Sequence, residues 1–112
     1  MNDPVINFED FQKIDLRAGT IIEVEVFEKA RVPAYKLKVD FGPLGIKKSS
    51  AQITELYDPS ELMGKQVIAV INFKPKQIAD FMSECLILGI QNGKEVTLLR
   101  QSHVVDNGTQ IT

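Results

Sequence analysis

The sequence predicts a small all-β domain, a five-stranded Greek-key barrel with a short helix between strands 3 and 4 and an extension at each end. Two apolar runs, Val67 to Ile71 and Leu86 to Ile90, each have the length of one strand and lack a polar residue at every second position. Two other segments, Ile14 to Val26 and Tyr35 to Phe41, alternate apolar and polar residues as strands do. We therefore expect residues 1–112 to form one domain around one core.

Charge is distributed unevenly along the chain. Residues 1–28 hold two basic and seven acidic residues, a net charge of -5. Residues 29–76 hold nine basic and four acidic residues, a net charge of +5. Residues 77–112 hold two basic and four acidic residues, a net charge of -2, so the whole chain carries -2. An acidic total argues against indiscriminate coating of nucleic acid, whereas a segment at +5 can form a local positive face. The alternative to a binding face is an ordinary solvated surface of lysine side chains.

Several classes of protein are excluded by what the sequence lacks. No apolar run approaches the roughly 20 residues that span a bilayer, and the first residues do not resemble a secretory signal, which predicts a cytoplasmic protein without membrane insertion. The single Cys85 and single His103 predict no internal disulfide and no metal site, with Cys85 buried and His103 on the surface. Without a recognisable nucleophile, phosphate loop or carboxylate cluster, we expect no catalysis and no cofactor.

The N-terminal part is expected to supply a short helix and a long strand. Asn7 can cap a helical turn over residues 8–12. In the strand from Ile14 to Val26 the even-numbered residues should face inward, and Gly19 marks a bulge or a bend. A connection from Phe27 to Pro33 follows.

Two further strands should carry outward polar side chains. In the second strand the odd-numbered residues from Tyr35 to Phe41 face inward, while Lys36 and Lys38 face outward. The third, within residues 46–54, has a weak apolar pattern and many hydroxyl and amide groups. These groups can hydrogen-bond a bound polymer, or they can protect an edge strand from aggregation, and the sequence leaves both interpretations open.

The second half of the chain completes the predicted barrel. Asp58 and Pro59 begin a short helix that Gly64 ends. A loop containing Pro75 separates the two apolar strands, and Asn92 with Gly93 forms a hairpin turn into a last strand. This order of elements is that of the OB-fold, whose open face binds oligonucleotides and similar polymers.

Five segments in this order resemble the tRNA-binding domain family: FQKIDLRAGTI, YKLKVDFG, KKSSAQIT, YDPSELMGKQVIAVINFKPKQI and SECLILG. The resemblance runs from about Phe11 to Gly89. It implies an OB-fold and a homodimer built through terminal extensions. It also implies one of two ligands, because some members bind tRNA by its shape and one branch comprises export-related chaperones that bind unfolded or precursor polypeptides.

Two departures from the family pattern favour the chaperone branch. Where tRNA-binding members typically carry Arg, this chain has Lys76, which offers a point charge instead of a planar fork. Where they carry Gly and Met, it has Cys85 and Leu86. We therefore predict a chaperone for unfolded or precursor polypeptides in protein export with tRNA-binding capacity. The alternative is a free-standing, structure-specific tRNA-binding protein that serves as an aminoacylation or tRNA cofactor.

The predicted binding face combines strands 2 and 3 with the central loop, and Phe73 or Phe81 would add an apolar contact. Its members are Lys36, Lys38, Lys47, Lys48, Ser49, Ser50, Gln52, Asn72, Phe73, Lys74, Lys76, Phe81 and Ser83.

The predicted dimer interface lies in the extensions 1–12 and 101–112. Its members are Val5, Ile6, Phe8, Phe11, Val104 and Val105. The two doubly apolar strands add surface that a second subunit would cover.

Overall fold

Five antiparallel strands form the barrel in the computed structural model, which describes residues 4–112. The helices are α1 (Phe8–Gln12) and α2 (Pro59–Leu62), with a 3-10 turn at Gly42–Leu44. The strands are β1 (Leu16–Val26), β2 (Tyr35–Asp40), β3 (Ile46–Ala51), β4 (Gln66–Val70), β5 (Lys76–Ile78), β6 (Phe81–Ser83), β7 (Leu86–Ile87), β8 (Gly89–Asn92) and β9 (Glu95–Leu98). The barrel has the order β3-β2-β1-β4-β7, with α2 between β3 and β4, so the predicted fold is confirmed.

The core lies inside the barrel and depends most on β2. Tyr35, Leu37, Val39 and the following Phe41 are all buried, as their alternation predicts. Leu62 of α2 is also fully buried in this cluster. Pro59 and Asp58 begin that helix as predicted, because the Asp58 N–H donates to Glu61 Oε1 at 2.9 Å.

The inward pattern of β1 changes partway along the strand. Its register with β2 shifts between Ile21 and Glu23, so Ile21 is fully buried while Ile22 is 38% exposed and Val26 57% exposed. The prediction that every even-numbered residue faces inward was wrong for Ile14, Ile22 and Val26, which are exposed, but Val24 beyond the shift packs against the core. One extra residue reverses the two faces of a strand.

Gly19 serves packing and does not form this bulge. A Cβ atom at Gly19 would lie 2.7 Å from the side chains of Phe41 and Val39. The missing side chain therefore allows β2 to bring two large residues against β1.

The segment after β4 contains two hairpins: β5–β6, where a loop was predicted, and β8–β9, whose turn near Asn92 and Gly93 was predicted. β5 pairs with β6, and the turn between them contains Ala79, whose φ is 52°. The predicted strand Leu86 to Ile90 divides into β7, which pairs with β4, and β8, which pairs with β9. Gly89 lies at the division, where a Cβ would be 2.6 Å from the Val96 side chain. Close approach of the β8–β9 hairpin thus ends the fifth barrel strand early.

The C-terminal segment is hydrogen-bonded to its own barrel. The Gly108 N–H donates to the Ala18 carbonyl at 2.7 Å, and the Ile111 N–H donates to the Leu16 carbonyl at 2.9 Å. Thr20 Oγ1 donates to Asn107 Oδ1 at 2.7 Å. Residues 107–111 therefore extend the sheet beside the first half of β1. The earlier part of the extension is also held to the barrel, because the Val105 N–H donates to Gln66 Oε1 of β4 at 3.2 Å.

Candidate binding groove and basic face

The barrel closes along a seam between β3 and the segment that joins β6 to β7, through side chains as well as backbone groups. Glu84 Oε1 accepts a hydrogen bond from the Lys48 N–H at 2.9 Å, and the Glu84 N–H donates to the Lys48 carbonyl at 2.7 Å. The Ser50 N–H donates to Ser83 Oγ at 3.2 Å. Backbone groups of alternate β3 residues thus face this seam, as strand geometry requires.

The inner side of the seam is occupied by Ser49 and Cys85, both of which are buried. Ser49 Oγ donates to the Cys85 carbonyl at 3.1 Å. Ser49 therefore does not belong to the outward face, contrary to the prediction, because it shares the inner face of β3 with Ala51. Cys85 is buried as predicted, and burial raises the pKa of its thiol to about 11, which disfavours the reactive thiolate.

A groove of about 700 Å³ lies where the seam opens beyond Ser50. Its walls come from the connection after β1, the end of β3 and the segment after it, β7, and the β5–β6 and β8–β9 hairpins. The predicted site residues that line it are Ser50, Gln52, Lys76 and Ser83. The apolar residues that line it are Val32, Pro33, Ala51, Ile53, Ile78, Leu86, Ile87 and Val96. Five separate segments of the chain thus meet at one site.

An ion pair links two walls of the groove. Lys29 Nζ in the connection after β1 lies 2.8 Å from Asp80 Oδ2 in the β5–β6 turn. The hydrogen bond between the two side chains raises the pKa of Lys29 and lowers that of Asp80. Both groups are exposed, so the pair serves to orient the two walls and adds little to stability.

A second feature, the basic face, consists of Lys36, Lys48 and the rings of Phe27 and Phe81. Lys36 Nζ lies 5.6 Å and Lys48 Nζ 5.3 Å from the centroid of the Phe81 ring. Phe27 is buried and meets Phe81 edge to face, with the two centroids 5.5 Å apart. Phe27 was expected in a connection, and this contact with Phe81 was not predicted. Its position beside the apolar Val26 was the available signal.

The other predicted site residues lie apart from the groove. Lys38 Nζ is 3.2 Å from Glu23 Oε2, and Lys47 is half-buried near the start of β3. The Asn72 side chain bridges the Asp15 N–H and the Lys13 carbonyl, so it anchors the chain before β1. Phe73 and Lys74 are exposed in the segment before β5. The predicted face therefore divides into the groove, the basic face and an outlying loop.

Within residues 4–112, no three side chains of the His, Cys, Asp and Glu types come together in a way that could hold a metal ion. The two short helices of this part of the chain are also far below the length needed to cross a bilayer, and none qualifies as a membrane span.

An OB-type barrel with an open groove and a lysine-bearing outer surface defines a class of proteins that bind extended polymers. The family described as "Putative tRNA binding domain" matches residues 16–110. The chain belongs to this family, and the predicted membership is confirmed.

Two crystal structures are similar to the protein over almost all of its length. Chaperone CsaA from Bacillus anthracis strain Ames is 50% identical with a TM-score of 0.93, and the match covers 97% of this chain and 100% of that one. The CsaA chaperone protein from Picrophilus torridus is also 50% identical, with a TM-score of 0.92 and coverage of 96% and 100%. The predicted similarity to chaperones of the CsaA type is confirmed.

A longer relative contains the same kind of domain. The methionine–tRNA ligase of Listeria monocytogenes is 34% identical over 112 residues, which are 99% of this chain but 17% of the ligase. The chain thus spans about one sixth of the curated relatives it matches first.

Proposed function

We propose that the protein is a non-catalytic chaperone that binds unfolded or precursor polypeptides in protein export, acting as a homodimer in the cytoplasm. The observation that carries the proposal is the groove, because it combines an open strand edge with accessible apolar side chains. The 50% identity to two CsaA chaperones over nearly whole chains supports the same assignment.

The strand edge supplies recognition that does not depend on the client's sequence. The N–H groups of Lys48 and Ser50 both face the seam, where Glu84 and Ser83 accept them. The next residue in this alternation, Gln52, lies just past the end of β3 and lines the groove. An extended polypeptide can pair with this edge by β-augmentation.

Apolar side chains supply the second part of recognition. Val32 and Leu86 on the groove walls are 51% and 48% exposed, while Ile53 beneath them is buried. Lys76 and Lys94 also line the groove and are exposed. Unfolded chains present hydrophobic side chains together with unpaired backbone groups, so this combination suits them better than it suits a folded surface.

Replacing Leu86 by Gln should weaken client binding about fivefold to tenfold. The change removes roughly half of a leucine's burial from the complex, about 1 kcal/mol, and costs the free protein little because Leu86 is already accessible. Binding of an unstructured peptide, followed by fluorescence anisotropy, and suppression of aggregation of a denatured client would both report the loss.

Leu44→Gln is the matched control for this experiment. Leu44 is 41% exposed and lies before β3, at the other end of that strand from the groove. Its replacement should leave peptide binding unchanged. If Leu86→Gln, Leu44→Gln and the wild type bind the peptide equally, the groove is not the client site.

The homodimer is proposed from apolar surface that the single chain leaves open. Val5 and Val104 are 95% and 88% exposed, and Ile6 and Phe8 are also exposed. Phe8 contacts Phe11, with ring centroids 6.2 Å apart, so α1 carries an apolar side that its own barrel does not cover. Exposed apolar surface of this kind is typical of an interface, here expected to bury at least about 2,000 Å² in total.

A second candidate function is structure-specific binding of tRNA, including a role as an aminoacylation or tRNA cofactor. The basic face favours it, because two lysine ammonium groups lie against one aromatic ring there, that of Phe81. Contacts from such groups to phosphates do not read base identity, which suits recognition by shape. Membership of the tRNA-binding domain family supports the same candidate.

A further inference from the structure

We propose that Asn92 is a site of spontaneous covalent modification, at which the Gly93 amide nitrogen converts the asparagine to aspartate and isoaspartate, and that the fold protects Asn107 from the same reaction. The chain contains two Asn-Gly steps, Asn92-Gly93 and Asn107-Gly108. The chemistry at Asn92 is independent of the proposed function. Its consequence for the groove rests on that function.

The reaction needs only the chain, hydroxide and water. Hydroxide removes the proton of the Gly93 N–H, and the nitrogen then attacks the side-chain carbonyl carbon of Asn92. A C–N bond forms to close a succinimide ring, and the side-chain nitrogen takes a proton from water and leaves as ammonia, which regenerates hydroxide. Water then opens the ring. Its attack at Cγ gives aspartate, and its attack at the main-chain carbonyl carbon gives isoaspartate.

The tip of the β8–β9 hairpin leaves both reacting groups free. Asn92 and Glu95 form the last pair of the ladder, so Gly93 and Lys94 make a two-residue loop, in which Gly93 has a φ of 63°. Asn92 and Gly93 are exposed, and a Cβ added at Gly93 would meet nothing within 4 Å. Within residues 4–112, neither the Asn92 side chain nor the Gly93 N–H is hydrogen-bonded, and the Gly93 carbonyl accepts Gln91 Nε2 at 3.4 Å.

The same dipeptide is held by hydrogen bonds at Asn107. Asn107 Oδ1 accepts Thr20 Oγ1 at 2.7 Å and Gln66 Nε2 at 3.1 Å. The Gly108 N–H donates to the Ala18 carbonyl at 2.7 Å, so this bond must break before the nitrogen can attack. Asn107 and Gly108 are also half-buried. The fold therefore separates two identical dipeptides into a reactive one and a protected one.

Conversion of Asn92 would change one wall of the groove. Gln91 and Gly93 both line the groove, so Asn92 lies between two lining residues. Either product carries a carboxylate opposite Glu95 in the ladder, and like charges in opposed positions weaken a hairpin. Isoaspartate also adds a carbon atom to the backbone just before the turn, which disturbs the register that the two-residue loop sets. The modified chain should therefore bind an unstructured polypeptide more weakly.

The test is incubation of the folded protein at mildly alkaline pH, followed by peptide mapping with mass spectrometry. Asn92 should convert at least about tenfold faster than Asn107, because Asn107 must first break its hydrogen bonds. In denaturant the two sites should convert at similar rates, since the dipeptide is the same and the folded contacts are gone. Asn92→Gln is the matched variant, because its longer side chain forms the cyclic imide far more slowly, and it should stay unmodified at that position.

The outcomes separate the site from its protection. Equal conversion of Asn92 and Asn107 in the folded protein would overturn the protection by hydrogen bonds. Conversion of both in denaturant, with neither converted in the folded protein, would show that the hairpin also protects Asn92 and would overturn the site.

A binding measurement tests the consequence for the groove. The modified fraction, separated by ion-exchange chromatography, should bind an unstructured peptide roughly twofold to fivefold more weakly than fresh protein. Asn92→Gln incubated in the same way should keep its affinity. Equal affinity of modified and fresh protein would overturn the consequence for the groove. If fresh protein binds no peptide, the proposed function fails, and the peptide map still decides whether Asn92 is modified.

Discussion

Removing residues 1–12 should convert the protein from a dimer into a monomer. The segment contains Val5, Ile6 and Phe8, which are exposed on the single chain. If these side chains form the interface, their loss removes several apolar contacts at once, each worth about 1.5–3 kcal/mol when fully buried. Such a sum exceeds what most dimers of this size can lose and remain associated.

The deletion is designed to leave the barrel intact. Asn72 anchors the Lys13 carbonyl and the Asp15 N–H, both of which lie beyond the cut. Sedimentation velocity would show whether the truncated protein is a monomer or a dimer. Phe8→Asp in the full chain should also shift the protein from dimer to monomer. Val26→Asp is the control, because Val26 is exposed at the far end of β1 from the residues that bond the C-terminal segment. A truncated protein that sediments as a dimer with unchanged melting would exclude the N-terminal segment from the interface.

Salt should separate the two proposed ligands. Between low and moderately high salt, tRNA binding should fall at least about tenfold, because each phosphate contact releases counterions. Binding of an unstructured polypeptide should change by only a few-fold, because backbone pairing and apolar burial dominate it. Titrating one preparation with both ligands at each salt concentration makes the comparison independent of the fraction of the protein that can bind.

Groove and basic-face variants make this comparison specific. Leu86→Gln should weaken polypeptide binding without altering the salt slope of tRNA binding. Lys48→Ala should weaken tRNA binding and reduce its salt slope, and should leave polypeptide binding unchanged. Polypeptide binding that falls as steeply as tRNA binding would mean that charge, and not the groove, governs it.

The barrel could be predicted because its patterns are local. The alternation around Leu37 and Val39 and the capping residues before α2 act over a few neighbours in the chain, so they are readable without a structure. The shift after Ile21 was not readable, because a bulge reverses the faces of a strand without a change in composition. The hairpin of β5 and β6 was missed because each strand has only three residues and Pro75 stands just before it.

The binding sites were harder to predict because they depend on distant segments. Ser49 was assigned outward from its polarity, but its hydroxyl is satisfied by the Cys85 carbonyl in the barrel interior. Leu86 was read as part of a covered strand, and its exposure beside Ile53 becomes visible only when the seam is formed. The contact between Phe27 and Phe81 joins residues that no local pattern connects.

Calorimetric titration of the wild-type protein with an unstructured, precursor-like polypeptide tests the central claim most directly. Burial of apolar side chains in the groove predicts binding with a negative change in heat capacity, maintained at salt concentrations that dissociate tRNA. A well-folded preparation that binds tRNA tightly but shows no binding of the polypeptide would contradict the chaperone assignment and leave tRNA binding as the function.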